Sequence, residues 1–228
     1  NFGNILVAYF AKRMGVLIAK LICPSNENKV LYDFFSTGKY DRNREFILTT
    51  SPSMDILISS NLERLIYLST GCDGEKTRGL MESLSRTGAY TVDSEMRAFL
   101  TDFIGGYATQ DQDGEMIKTL FQKTGYLVDT HTGVAAAVYQ DYRKKTGDET
   151  KTVIASTASP YKFSRSVMEA VQGPKGEVDE FELIDQMSRL SGIPIPQAVE
   201  EIRTAPVLHN RECGKDEMKK EVKDILGV

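Results

Sequence analysis

Residues 1–38 read NFGNILVAYFAKRMGVLIAKLICPSNENKVLYDFFSTG. From Ile5 to Met14 apolar side chains recur at helical spacing, and Gly15 supplies a stop. Lys20-Leu21-Ile22-Cys23 is a short apolar run closed by Pro24, the signature of a strand. Asn28 to Ser36 returns to helical spacing and ends near Gly38. Helix, strand and helix in so short a span predict an α/β fold with a mainly parallel sheet flanked by helices.

The alternation continues outward. Phe46-Ile47-Leu48-Thr49 predicts a second strand, and the β-branched run Lys151 to Ala155 predicts another. Helices are expected over Met54–Ser69, Gly79–Thr87, Ser94–Phe103, Asp113–Thr124, Val134–Thr146 and Ser164–Gln172. Pro174 to Val228 differs, being helical and charged with no clear strand. The expected division is therefore an α/β domain over 1–173 with a helical extension, 174–228, packed on it.

The chain has 228 residues, 41% hydrophobic and 26% charged, as in an ordinary globular protein, and is long enough to bury a core. A net charge of -4 favours neither nucleic acid nor an anionic membrane surface. No run approaches the roughly 18 apolar residues of a membrane span, and no signal peptide is visible. Three scattered cysteines make neither a disulfide framework nor a zinc site, and they suit a reduced cytosolic compartment. With only His131 and His209, a histidine-rich metal site is excluded. Chemistry here calls for an organic cofactor.

Four stretches are chemically suggestive. Asn1-Phe2-Gly3-Asn4 is a loop feeding a helix, where unpaired N–H groups and the helix dipole attract an anion. Gly3 can take φ > 0 and lets an anion approach the backbone. An ordinary helix cap explains the same letters. Ala155-Ser156-Thr157-Ala158-Ser159-Pro160 puts two hydroxyls beyond the carboxyl end of an expected strand, where open α/β sheets bind ligands. The alternative is that Ser156 or Thr157 caps the next helix. Ser53, Asn61 and Arg64, within SPSMD and SSNLER, could grip a phosphate or carboxylate, or simply cap and solvate a helix. In Asp129-Thr130-His131-Thr132-Gly133, the histidine reads as a structural hydrogen-bonder before a helix.

These stretches, in this order, resemble threonine synthase, a pyridoxal-phosphate enzyme of fold type II. The likeness rests on NFGNILVAYFAKRMG (1–15), KLICPSNENKVLYDFFSTGKYDRNR (20–44), SPSMDILISSNLERL (51–65), DTHTGVAAAVYQDY (129–142), IASTASPYKFSRSV (154–167) and FELIDQMSRLSGIPIP (181–196). It implies part of the large domain of such an enzyme. Asn1, Phe2, Gly3 and Asn4 would hold the cofactor phosphate through backbone N–H groups. Thr157, with Ser156 beside it, would face the pyridine nitrogen, and a neutral hydroxyl there suits an unprotonated ring. Where many relatives carry a histidine after the alanine of this motif, this chain has Ser159.

The resemblance implies conversion of O-phospho-L-homoserine and water to L-threonine and phosphate. It also implies that the Schiff-base lysine lies upstream, outside this chain, so that the piece alone is inactive and prone to self-association through exposed apolar surface. Two alternatives stay open. One is another fold type II lyase, such as a serine/threonine dehydratase, which would share the phosphate loop but not SPSMDILISSNLERL. The other is a non-catalytic phospholigand-binding derivative.

Overall fold

The computed structural model describes residues 2–228. Helix α1 (Gly3–Arg13) leads to strand β1 (Leu21–Ser25), helix α2 (Val30–Thr37) and a short strand β2 (Lys39–Asp41). Helices α3 (Leu62–Ser69) and α4 (Gly74–Thr87) precede β3 (Ala89–Thr91), α5 (Ser94–Phe99) and β4 (Phe103–Tyr107). Then come α6 (Gln110–Thr124), α7 (Thr130–Thr146), α8 (Ser164–Gln172), α9 (Glu180–Ser191), α10 (Gln197–Thr204) and α11 (Met218–Leu226).

β1 and β4 pair in parallel, Leu21 opposite Phe103 and Ser25 opposite Tyr107, so both carboxyl ends open at one edge. β2 and β3 form a separate antiparallel pair, with Tyr40 opposite Tyr90. The architecture is a helix-rich α/β fold around a parallel pair, as the alternation predicts. β1 runs through Pro24 to Ser25, one step further than a proline stop implies.

Two glycines in β4 set how closely the helices pack. A Cβ on Gly105 would lie 2.9 Å from the backbone of Tyr32 in α2, and one on Gly106 would lie 2.3 Å from Val138 in α7. Only bare backbone fits between the two helices. The core beside this layer is aromatic: Phe35 stacks on Phe103 at 5.4 Å, and Tyr40 stacks on Tyr90 at 5.2 Å. Expected stops at Gly125 and Gly147 are left-handed helix caps, with φ of 71° and 69°.

Two expected strands are absent among the described residues. Residues 46–49 are pinned by side chains instead of a neighbouring strand. Asn28 Nδ2 donates to the Ile47 carbonyl at 2.7 Å, and the Ile47 N–H donates to Asn28 Oδ1 at 3.0 Å. The Thr49 N–H donates to Asp55 at 2.9 Å. Lys151 to Ala155 is irregular and open, with Val153 94% exposed. Its β-branched residues have the propensity, but a strand requires a ladder partner, and no described residue provides one. The long helix expected over Met54–Ser69 shortens to α3, after a 3-10 turn at Pro52–Met54.

The chain divides after Pro194. In the larger unit, α9 packs on α8, with Arg165 Nε donating to Glu180 at 2.7 Å and Tyr161 Oη donating to the Ile193 carbonyl at 2.6 Å. The expected boundary at 173/174 falls inside that unit. The second unit, Ile195–Val228, contains α10 and α11, and Arg211 pairs with Glu221 at 3.0 Å within it. Among the described residues no helix is long and apolar enough to cross a membrane.

Candidate functional site

A groove of about 920 Å³ runs along the larger unit and is lined by Phe2, Gly3, Asn4, Ser53, His131 and Thr157, among others. At one end lies the start of α1. Its cap, Phe2, offers no side-chain acceptor, and the first turn holds no acidic residue. Nothing on these side chains competes with an anion for the positive end of the helix. Asn1 lies outside the described residues.

The positive φ expected at Gly3 belongs instead to Phe2, at 61°. Gly3 is the first helical residue and must adopt helical angles. The left-handed turn is held by the Phe2 ring, buried and 5.8 Å from both Phe35 and Phe103. A Cβ on Gly3 would lie 3.7 Å from Asn61 Nδ2, an ordinary contact. Gly3 therefore leaves the backbone uncovered at this turn, and its wider conformational range is not used. Asn61 accepts from the Arg64 guanidinium. The pair stands at the start of α3, with the Asn61 amide beside Gly3.

Thr157 lines the same groove and is exposed, and no described residue takes its hydroxyl. It stands on an open segment and not at the end of a formed strand, which corrects the expected placement. Ser156 Oγ lies 3.0 Å from Thr132 Oγ1 of α7. Ser53 projects from the 3-10 turn, and its N–H donates to His131 Nε2 at 3.0 Å. A backbone N–H can only donate, so Nε2 is the acceptor and the proton sits on Nδ1, 3.0 Å from Asp129 Oδ1.

Sequence reasoning passed over a second set of polar residues. Asn26 and Asn28, buried just past the carboxyl end of β1, both donate to Asp55 Oδ1, at 2.8 and 3.0 Å. They pin the loop that carries Ser53. Two asparagines spaced i, i+2 after a strand were the available signal. Asp113, in α6, is 2% exposed, and its Oδ1 has no partner. Burial and the neighbouring Asp129 raise its carboxyl to about 7, against the opposing Thr50 hydrogen bond.

An uncovered helix N-terminus and an unclaimed hydroxyl on one groove form a donor set that fits pyridoxal phosphate, with donors for an anion and for a ring nitrogen. Residues 132–212 match the family model described as "Threonine synthase, C-terminal". The chain is similar to threonine synthases along most of its length. Human "Threonine synthase-like 1" is 39% identical over 174 residues, covering 75% of this chain and 23% of that protein. The pyridoxal-phosphate-bound threonine synthase structure from Brucella melitensis superposes with a TM-score of 0.70 at 35% identity, over 81% of this chain and 39% of that one. The yeast threonine synthase structure gives 0.83 at 28% identity, over 99% of this chain and 46% of that one. The chain thus spans less than half the length of each of these relatives.

Proposed function

We propose that the protein to which this chain belongs is a threonine synthase, converting O-phospho-L-homoserine and water to L-threonine and phosphate. The observation that carries the reading is the shared groove, with the start of α1 and the Thr157 hydroxyl opening onto one surface. Cofactor binding falls within residues 1–173 on this reading, and 174–228 extend it. Pyridoxal phosphate, when bound, supplies the electron sink for loss of phosphate from Cγ and addition of water at Cβ.

Phe2, Gly3 and Asn4 hold the cofactor phosphate through backbone N–H groups, with the unmodified Gly3 backbone leaving room. Thr157 donates to the ring nitrogen and keeps the ring unprotonated, with Ser156 supporting its segment. Ser53, Asn61 and Arg64 take the anionic groups of the substrate, Arg64 supplying charge and Asn61 orienting it. The lysine that moves protons lies outside these 228 residues. Free Cys23, Cys72 and Cys213 suit a reducing, cytosolic setting.

The test is product analysis on the full-length protein with pyridoxal phosphate. Equimolar L-threonine and phosphate from O-phospho-L-homoserine is the expected result. Ammonia and a 2-oxo acid from serine or threonine would assign a dehydratase instead. Tight phospholigand binding with no turnover would assign the non-catalytic derivative. For the chain alone, borohydride reduction with pyridoxal phosphate should label no single lysine. Stoichiometric labelling of Lys162, whose ammonium lies along the groove over Phe163, would overturn the placement of the lysine.

A further inference from the structure

We propose that Asp129 is a positioning residue that orients both walls of the groove at once, His131 and the Ser53 turn through one oxygen, Thr132 and the Ser156–Thr157 segment through the other. The role assigned to Thr157 rests on the threonine synthase reading; the clamp itself does not.

Asp129 caps α7 and is fully buried. Its Oδ1 accepts from the His131 N–H at 2.9 Å and from His131 Nδ1 at 3.0 Å. Its Oδ2 accepts from the Thr132 hydroxyl. Burial by itself would push this carboxyl upward, yet the hydrogen bonds from His131 and Thr132 outweigh it and hold the group below the usual carboxylate range. Asp129 is therefore an acceptor only, and the direction of the histidine arm follows. His131 must carry its proton on Nδ1, which leaves Nε2 to receive the Ser53 N–H. The Thr132 hydroxyl also directs its donor at Ser156 Oγ, 3.0 Å away, so its single proton is shared between Asp129 Oδ2 and the Ser156 hydroxyl.

This second arm has a clear purpose. Residues 151–157 make no ladder, and Ser156 and Thr157 are exposed. A segment without backbone pairing keeps its conformational freedom unless something ties it down. The Thr132–Ser156 contact reaches 24 positions along the chain, directly beside the candidate ring-nitrogen donor. One buried carboxylate thus ties together two segments that both line the groove.

Methyl relaxation and ¹⁵N histidine spectra of the 228-residue chain test this without any cofactor. His131 should show the Nδ1–H tautomer in the wild type and lose it in Asp129→Asn. In Thr132→Val, methyl order parameters at Ala155, Thr157 and Ala158 should fall by about 0.2 or more toward values typical of flexible segments. Thr132→Ser, which keeps the hydroxyl, should restore them. Unchanged order parameters in Thr132→Val, or equal loosening in Thr132→Ser, would overturn the proposal. Should Asp129→Asn not fold, the Thr132 pair decides. A wild-type full-length protein that fails to retain pyridoxal phosphate, with the clamp behaving as stated, would sink the functional reading and leave the clamp standing.

Discussion

The backbone N–H of Ser53 donates to Nε2 of His131 at 3.0 Å, joining residues 78 positions apart. It ties the turn held by the Asn26–Asn28–Asp55 cluster to the first turn of α7. His131→Phe would keep packing against Phe163, whose ring centroid lies 4.8 Å away, and remove both ring hydrogen bonds. The expected loss is about 2 kcal/mol, two hydrogen bonds at about 1 kcal/mol each, part of it from the Ser53 N–H left without its acceptor and the Asp129 carboxylate left one donor short. Urea denaturation reads it as a lower midpoint, and a change under about 0.5 kcal/mol would count against the bonds.

Asp113 makes stability depend on pH. Its carboxyl is raised from 3.8 to about 7, so between those values the folded chain binds more protons than the unfolded one. This contribution is fully present below pH 3.8, declines as pH rises and is lost above about 7. Asp113→Asn removes that slope. The variant should match the wild type near pH 4 and exceed it at pH 8 by about 1 kcal/mol or more, with about 4 kcal/mol as the ceiling set by a shift of about three pKa units. Parallel pH–stability curves for the two proteins would refute it.

Gly106 in β4 has no room for a side chain. A Cβ would meet Val138 at 2.3 Å, and Val138 is buried and β-branched, with little rotamer freedom in a helix. Gly106→Ala should cost about 1–3 kcal/mol through overpacking. Adding Val138→Ala should recover part of that cost, giving a coupling that a double-mutant cycle measures. Purely additive effects would show that α7 does not rest on this glycine.

Gly3 has helical angles, so an alanine fits its backbone, and a new Cβ meets only Asn61 at 3.7 Å. Gly3→Ala and Gly3→Val should both fold, valine losing about 0.5 kcal/mol of helix propensity. In the full-length protein, valine at this position should strip pyridoxal phosphate on dialysis while alanine retains part of it. Cofactor content equal to wild type in the valine variant would argue against a phosphate resting on this turn.

Much of the fold was legible along the chain. The alternation in residues 1–38 holds as α1, β1 and α2, and glycine stops such as Gly125 and Gly147 mark real helix ends. These are local properties, set by the apolar period and by backbone freedom at one residue. β4 was hidden because Phe103-Ile104-Gly105-Gly106-Tyr107 lacks the composition of a strand, its glycines being there to admit α2 and α7. The turn ahead of α1 was legible as a loop feeding a helix but not in detail, since the positive φ passes to Phe2 once its ring is buried.

By itself the sequence determined the α/β class, the helix ends and which stretches carry polar groups suited to an anion or a ring nitrogen. Tertiary structure alone decided whether those stretches meet. Phe46–Thr49 and Lys151–Ala155 have equal claims as strands on propensity, yet neither forms one. The first is held by the amide of Asn28 and the carboxylate of Asp55; the second has no ladder among the described residues. Asp129 and Thr132 meet within one helix turn, but Ser156 joins them from 24 positions along the chain only through the fold. Propensity belongs to single residues, whereas a ladder or a shared buried carboxylate needs partners from distant segments, and only folding supplies those.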